Sequence, residues 1–245
     1  MNIARQVIAL ILLALPAVLG FAQSPSATDR KAAEVTGQVE LRMASSGHFT
    51  DASEVVVWLV PTAASLQKVS ATSQKAHYRL VQRNKRFEPN LLVIPVGSVV
   101  DFPNADPWFH NVFSLYRGKR FDLGLYQAGA QRSVKFDRIG PSYLFCNIHP
   151  EMTGVVLVVD SDFFGITDKA GRYSIADVPP GRYIVHVWYE NATPESLKAL
   201  QRPVTIEDGG YTMSMISVAA AKQQQEDHKN KYGQDYDSDA LKLDY

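Results

Sequence analysis

Cys146 is the only cysteine among the 245 residues, so no internal disulfide can staple the fold. An excess of charge is missing too. Twenty-five Lys and Arg balance 25 Asp and Glu, with no long basic run, which removes electrostatic support for nucleic-acid binding. After the N-terminal region no apolar stretch approaches the roughly 20 residues a membrane span needs. The mature protein is therefore expected to have no membrane span. No long amphipathic helix is visible, and strands do not alternate with helices, which argues against a parallel α/β sheet.

The N-terminus carries the first positive signal. Arg5 precedes an apolar run, Val7 to Leu19, which is interrupted by Pro16 and followed by Gly20, Ala22 and Gln23. A short basic region, a short apolar core and a small-x-small site read as a signal peptide over 1–22, cut after Ala22. A membrane anchor is the competing reading, disfavoured by the shortness of the run and by Pro16. The protein is thus expected to be exported, periplasmic or secreted. In an oxidising compartment a lone thiol is a liability unless something protects it. A metal ion would.

The mature chain from Gln23 is long enough for one large domain or two small ones. Residues 23–33 are small and polar and read as a flexible leader. Short β-branched or alternating segments follow. They cover Val35 to Arg42, Ser53 to Val60, Tyr78 to Gln82, Asn90 to Pro95, Val99 to Phe102, Val112 to Leu115, Ser133 to Phe136, Ser142 to Phe145 and Gly154 to Asp160. Residues 116–131, with Gly118, Gly124 and Gly129, read as loop. Beyond Gly165 come a turn at Asp168 to Gly171, strands at Tyr173 to Ile175 and Tyr183 to Tyr189, and a tight turn at Pro179-Pro180-Gly181. Thr193-Pro194-Glu195 looks like a helix start, predicting one short helix near 194–201. Pro203 to Glu207 and Tyr211 to Val218 are further strands. The polar 219–245 tail is expected to pack weakly or wander. Short strands with frequent turns indicate an all-β sandwich or barrel.

The sharpest feature is Cys146-Asn147-Ile148-His149-Pro150-Glu151-Met152. A thiol, an imidazole and a thioether sit with two residues between successive members, so a loop after a strand can wrap all three around one ion. A His₂Cys set with a long axial Met is the blue-copper arrangement. The second histidine must come from elsewhere, and His110, in a segment linking two predicted strands, is the candidate. Alone, Cys146 and Met152 also fit core filling. Zinc is less suited, because Met is a poor zinc ligand. A Cys-His nucleophile pair would need an orienting third group and a cleft. His48 and His77 lie in polar stretches and read as solvated, and His186 reads as a sheet-surface residue. His228 lies in the tail.

Residues 79–160 resemble a cupredoxin of the plastocyanin and amicyanin kind. The resemblance rests on Arg86-Phe87-Glu88-Pro89, Val96-Gly97, Asn104-x-Asp106, His110-Asn111-Val112 and Tyr143-x-Phe145-Cys146-x-x-His149, in that order. The short gap from His149 to Met152 is similar to amicyanin. The resemblance implies a Greek-key sandwich with one mononuclear type 1 copper. His110, Cys146 and His149 would be the equatorial ligands and Met152 the axial one, with Asn111 tying the two ligand loops together by hydrogen bonds. The pair Trp108-Phe109 before His110 is bulkier than the family pattern.

A second resemblance covers Thr167-Asp168-x-x-Gly171-x-Tyr173-x-Ile175 and Val178-Pro179-Pro180-Gly181-x-Tyr183-x-Val185. These look like a carboxypeptidase regulatory-like, or transthyretin-like, β-sandwich. Its expected first strands lie far upstream, at Gly37-Gln38-Val39 and Glu54 to Val60. On that reading 34–62 and 163–218 are two parts of one sandwich, with the cupredoxin unit inserted between them. Alternatively, 34–62 adds strands to the cupredoxin unit itself. Proteins joining two such modules resemble those called methylamine-utilisation-like. The implied function is one-electron transfer to an unidentified redox partner protein, without enzymatic activity. The alternatives are a copper carrier or sensor, or a carbohydrate- or partner-binding sandwich using Tyr183, Trp188 and Tyr189.

Overall fold

A computed structural model describes residues 32–43, 51–62, 76–115, 118–220 and 228–236. The signal-peptide segment, most of the leader and His48 lie outside the described residues. The described chain is all-β apart from one short helix. Its strands are β1 (Ala33–Met43), β2 (Val56–Pro61), β3 (His77–Arg79), β4 (Val81–Arg83), β5 (Arg86–Glu88), β6 (Leu91–Pro95), β7 (Val99–Pro103), β8 (His110–Ser114) and β9 (Phe121–Tyr126). They continue as β10 (Gln131–Lys135), β11 (Gly140–Phe145), β12 (Thr153–Val159), β13 (Phe164–Ile166), β14 (Arg172–Val178) and β15 (Gly181–Trp188). Helix α1 (Pro194–Ala199) precedes β16 (Arg202–Ile206), β17 (Tyr211–Thr212) and β18 (Ile216–Ala220).

The strands form two sandwiches. In one, the sheet β6-β12-β11-β8-β9 is paired with β10-β7-β3 around a core that includes Val100, Phe102, Val112, Val134, Leu144 and Val156. In the other, β14-β1-β17, with β18 also pairing β1, packs on β13-β2-β15-β16. Its core includes Val35, Leu59, Ile175, Tyr183 and Val185. The long strand β1 pairs antiparallel with β14 and parallel with β18, and β2 pairs antiparallel with β13 and β15. The early strands thus hydrogen-bond to strands that follow residue 160.

Two strands bury both faces. Val156 and Val158 of β12 point into the first core, while Val155, Leu157 and Val159 join Val56 and Trp188 in a third cluster between the sandwiches. That is why GVVLVV shows no polar alternation: a strand covered on both sides has no solvent face to mark. Strand β2 does the same, with Val57 and Leu59 in one core and Val56 in the shared cluster.

Local chemistry accounts for several connections. At the start of α1, Thr193 Oγ1 accepts from the Ser196 N–H at 3.2 Å, and Pro194 opens the first turn. The turn at Asp168 closes through the Gly171 N–H to the Asp168 carbonyl at 2.8 Å. Gly171 sits at φ +74, and a Cβ there would collide with the Val39 carbonyl, so only glycine lets β1 approach. Strands β4 and β5 form a two-residue hairpin through Asn84 and Lys85, both at positive φ (54 and 53).

Two expectations are corrected. Residues 121–126, read as loop, form the edge strand β9 against β8. Part of the 219–245 tail is packed as well: Ala219 and Ala220 extend the expected strand as the end of β18, and residues 228–236 lie on the loop that follows β11.

Candidate metal centre

Cys146 follows the last residue of β11, and β12 begins at Thr153, so the seven residues 146–152 connect adjacent antiparallel strands. Two backbone bonds brace this loop: Met152 N–H to the His149 carbonyl at 3.0 Å, and Cys146 N–H to the Met152 carbonyl at 3.3 Å. His110 opens β8, the neighbour of β11 in the same sheet. The segment leading to it is held by Asn104, whose side-chain amide donates to the Trp108 carbonyl at 2.7 Å and whose Oδ1 accepts from the Asp106 N–H at 3.0 Å. Sheet order therefore brings residues 36 positions apart to one end of one sandwich.

His110, Cys146 and Met152 are fully buried, and His149 is 7% exposed. His110 Nδ1 lies 3.1 Å from His149 Nδ1, and Cys146 Sγ lies 4.0 and 3.7 Å from the two nitrogens. The point equidistant from these three atoms is about 2.1 Å from each, close to the lengths of ordinary metal–imidazole and metal–thiolate bonds. The donor set thus fits one transition-metal ion. Met152 belongs to the same buried cluster as Cys146.

The protonation chemistry agrees with the geometry. Metal binding needs neutral imidazoles and a thiolate. Burial pushes His149 down to about 4, with the neighbouring His110 adding to the effect. Burial lowers His110 as well, against the opposing pull of Asp106. Cys146 is pushed up by burial, while backbone N–H groups of Asn111, Ile148 and His149 aimed at its sulfur favour the thiolate.

Asp106 went unassigned in the sequence, although its position four residues before His110 was a readable signal. Its Oδ2 lies 2.8 Å from His110 Nε2, and it also accepts N–H bonds from Asn84 (2.6 Å) and Lys85 (2.9 Å) at the hairpin turn. Burial raises this carboxyl, but the donors of Lys85, His110 and Asn84 outweigh it and hold it below the usual carboxylate range. An ionised carboxylate only accepts, so Nε2 of His110 carries the hydrogen and Nδ1 presents its lone pair to the site.

Asn111 links to the ligand loop through its backbone N–H, which faces the Cys146 sulfur. Its side-chain amide turns the other way, to Asp122 Oδ1 at 2.7 Å and the Gly124 carbonyl at 3.0 Å, both on β9. Phe109 is half-exposed beside the buried His110, and the Lys85 ammonium lies 5.0 Å above the Trp108 ring.

Among the described residues, His77, His186 and His228 do not join the cluster. His77 is exposed beside Asp101 (3.5 Å), and His186 stacks on Trp58 with ring centroids 5.1 Å apart. The aromatics considered for ligand binding are packed. Tyr183 is fully buried with its hydroxyl on the Pro179 carbonyl, and Trp188 lies between the sandwiches.

No family model matches the chain, and no curated protein matches it. Solved structures do. The Cu-containing nitrite reductase from Thermus scotoductus SA-01 is 24% identical over 37% of this chain and 25% of its own length, with a TM-score of 0.33. The chain therefore spans a quarter of that enzyme. A purple cupredoxin from Nitrosopumilus maritimus is 26% identical over 34% of this chain and 99% of its own (TM-score 0.31). A reduced amicyanin variant is 22% identical over 37% and 89% (TM-score 0.32).

Proposed function

We propose that the protein is an exported carrier of single electrons with one type 1 copper ion, which His110 Nδ1, Cys146 Sγ and His149 Nδ1 would hold, with the Met152 thioether as a further donor. The observation that carries this reading is the buried triangle of donor atoms with its centre about 2.1 Å from each corner. A bound copper ion would supply a couple between the +1 and +2 states, softened by sulfur and supported by imidazole.

The chain's own residues do the rest. Asp106 keeps the Nε2 hydrogen of His110 in place, so the ring cannot present the wrong nitrogen. The N–H groups of Asn111, Ile148 and His149 spread the charge of the thiolate. Burial of His110, Cys146 and Met152 excludes water and leaves no room for a substrate, which favours electron transfer over catalysis. His149, with its small exposed edge, is the route for electrons to and from a partner protein.

The strand pairing supports a domain reading as well. Residues 34–62 and 163–218 are two parts of one regulatory-like sandwich, and 79–160 is a cupredoxin unit inserted between them. The two bodies share the cluster around Val56, Val155 and Trp188.

Metal analysis and a visible spectrum of the purified, copper-loaded protein test the function. One copper per chain and an intense thiolate-to-copper band are expected. Copper binding without that band, or no copper binding, sinks the reading. Loosely held copper with slow electron exchange would mark a copper-handling protein instead.

A further inference from the structure

Three groups of the ligand loop are bonded from outside the sandwich. The Cys146 carbonyl accepts from the Tyr236 hydroxyl at 2.9 Å, Asn147 Oδ1 accepts from the Lys231 N–H at 3.0 Å, and the Pro150 carbonyl lies 2.7 Å from His228 Nε2. A carbonyl cannot donate, so Nε2 of His228 carries the hydrogen. The His228 ring also packs on Phe145, the residue before Cys146, with centroids 4.4 Å apart, and Tyr236 meets it edge-on at 5.2 Å. All these partners come from residues 228–236, about eighty residues away in the chain.

The segment is itself a built turn. Asn230 N–H donates to the Gln234 carbonyl and Gly233 N–H to the Asn230 carbonyl, both at 2.9 Å. Asn230 Oδ1 accepts from the Tyr232 and Gln234 N–H groups at 2.9 and 3.1 Å, and Lys229 pairs with Asp235. A second connection reaches the strand that bears the other histidine. Lys231 Nζ donates to Asp122 Oδ2 at 2.9 Å, and the other oxygen of that carboxylate accepts from Asn111, whose backbone N–H faces the Cys146 sulfur.

We propose that His228, Lys231 and Tyr236 are positioning residues of the metal centre: the 228–236 segment is a strap that clamps the Cys146–Met152 loop at three points and holds its ligands in place. The proposal rests on the copper reading above. Within the loop only two backbone bonds brace three ligand side chains, and the side chain of Asn111 is spent on β9. The strap supplies the loop-tying bonds that Asn111 was expected to make. It acts on the backbone that carries Cys146 and on both sides of His149, so it governs how far the donors separate when the ion leaves or changes oxidation state. Removing such outer partners typically costs about 10- to 100-fold in metal affinity.

The test compares the full chain with a chain ending at Ala220, and His228→Ala with His228→Gln. Three readouts are used: copper release to a chelator, the position of the visible band, and amide hydrogen exchange of residues 146–152 in the metal-free protein. The shortened chain should still bind copper, release it about 10- to 100-fold faster, show a shifted band and exchange its loop amides faster. His228→Ala should move the same way, and His228→Gln, which keeps a donor for the Pro150 carbonyl, should recover most of the loss. If the shortened chain does not fold, the double variant His228→Ala/Tyr236→Phe decides on the same readouts. Release, band and loop exchange all equal to those of the full chain overturn the strap and leave the copper reading standing. A full chain with no visible band fails the copper reading first.

Discussion

The two sandwiches are of similar architecture but treat buried polarity differently. Among the described residues, nine of the eleven buried polar or charged ones lie from Gln82 to His149, and the other two are Ser161 and Thr167. The core formed by β1, β2 and β13–β18 is a continuous set of Ala, Val, Ile, Leu, Tyr and Met. The β3–β12 unit instead keeps Asn104, Asp106, His110 and His149 inside, the first three linked by hydrogen bonds to the chain around them. Hydrogen bonds among buried polar groups fix geometry tightly. One core is almost wholly apolar. The other gives up apolar packing at one end to hold donor atoms at fixed separations.

Experiments can break that contrast. The largest expected effect is Cys146→Ser. It should abolish the visible copper band while the fold, judged by far-ultraviolet circular dichroism, stays as in the parent. A retained band would mean that the sulfur is not the ligand. Next, Leu59→Ala, deep in the apolar core, should cost about 2–5 kcal/mol in chemical denaturation and leave the band where it was. A shifted band would show that the two cores are coupled.

The metal-free protein should also lose stability on acidification. His149 titrates near 4 when folded and near the ordinary 6.5 when unfolded, so between those values the unfolded chain holds more protons. Stability is fully present above about pH 6.5 and falls as pH drops toward 4, by roughly 3 kcal/mol from this group alone. Denaturant midpoints across that window check the sign, and bound copper should blunt the slope because it competes with the proton. Midpoints that rise on acidification would refute it. The smallest effect is expected from Asp106→Asn. It keeps the size of the side chain but offers an N–H where three donors converge, and copper affinity should fall by about 10- to 100-fold with little change in fold.

Much of the donor cluster was readable because it is local. Cys146, His149 and Met152 share one loop, and the spacing alone brings sulfur and imidazole together. The strands β2 and β12 were visible as apolar runs, but not the reason for them, since burial on both faces depends on what packs outside. Strand β9 was missed for the opposite cause. As an edge strand with Gly124 at φ +67 it has only a weak pattern, and its pairing energy comes from β8. Asp106 was seen as part of a motif, but its bond to His110 follows from where the hairpin turn of Asn84 and Lys85 lies.

By itself the sequence determined that this is an all-β chain with one thiol and a compact set of soft and imidazole donors around it. Those properties are carried by residue type and by spacings of a few positions. Tertiary structure decided between the two readings that the sequence left open for β1 and β2, which pair with strands beyond residue 160. It also decided that His110 Nδ1 faces the sulfur, and that a polar tail expected to wander lies on the ligand loop. Each of these depends on contacts between residues tens of positions or more apart. Hydrogen bonds at that range leave no periodic trace in the chain, because their partners are chosen by how the sheets stack.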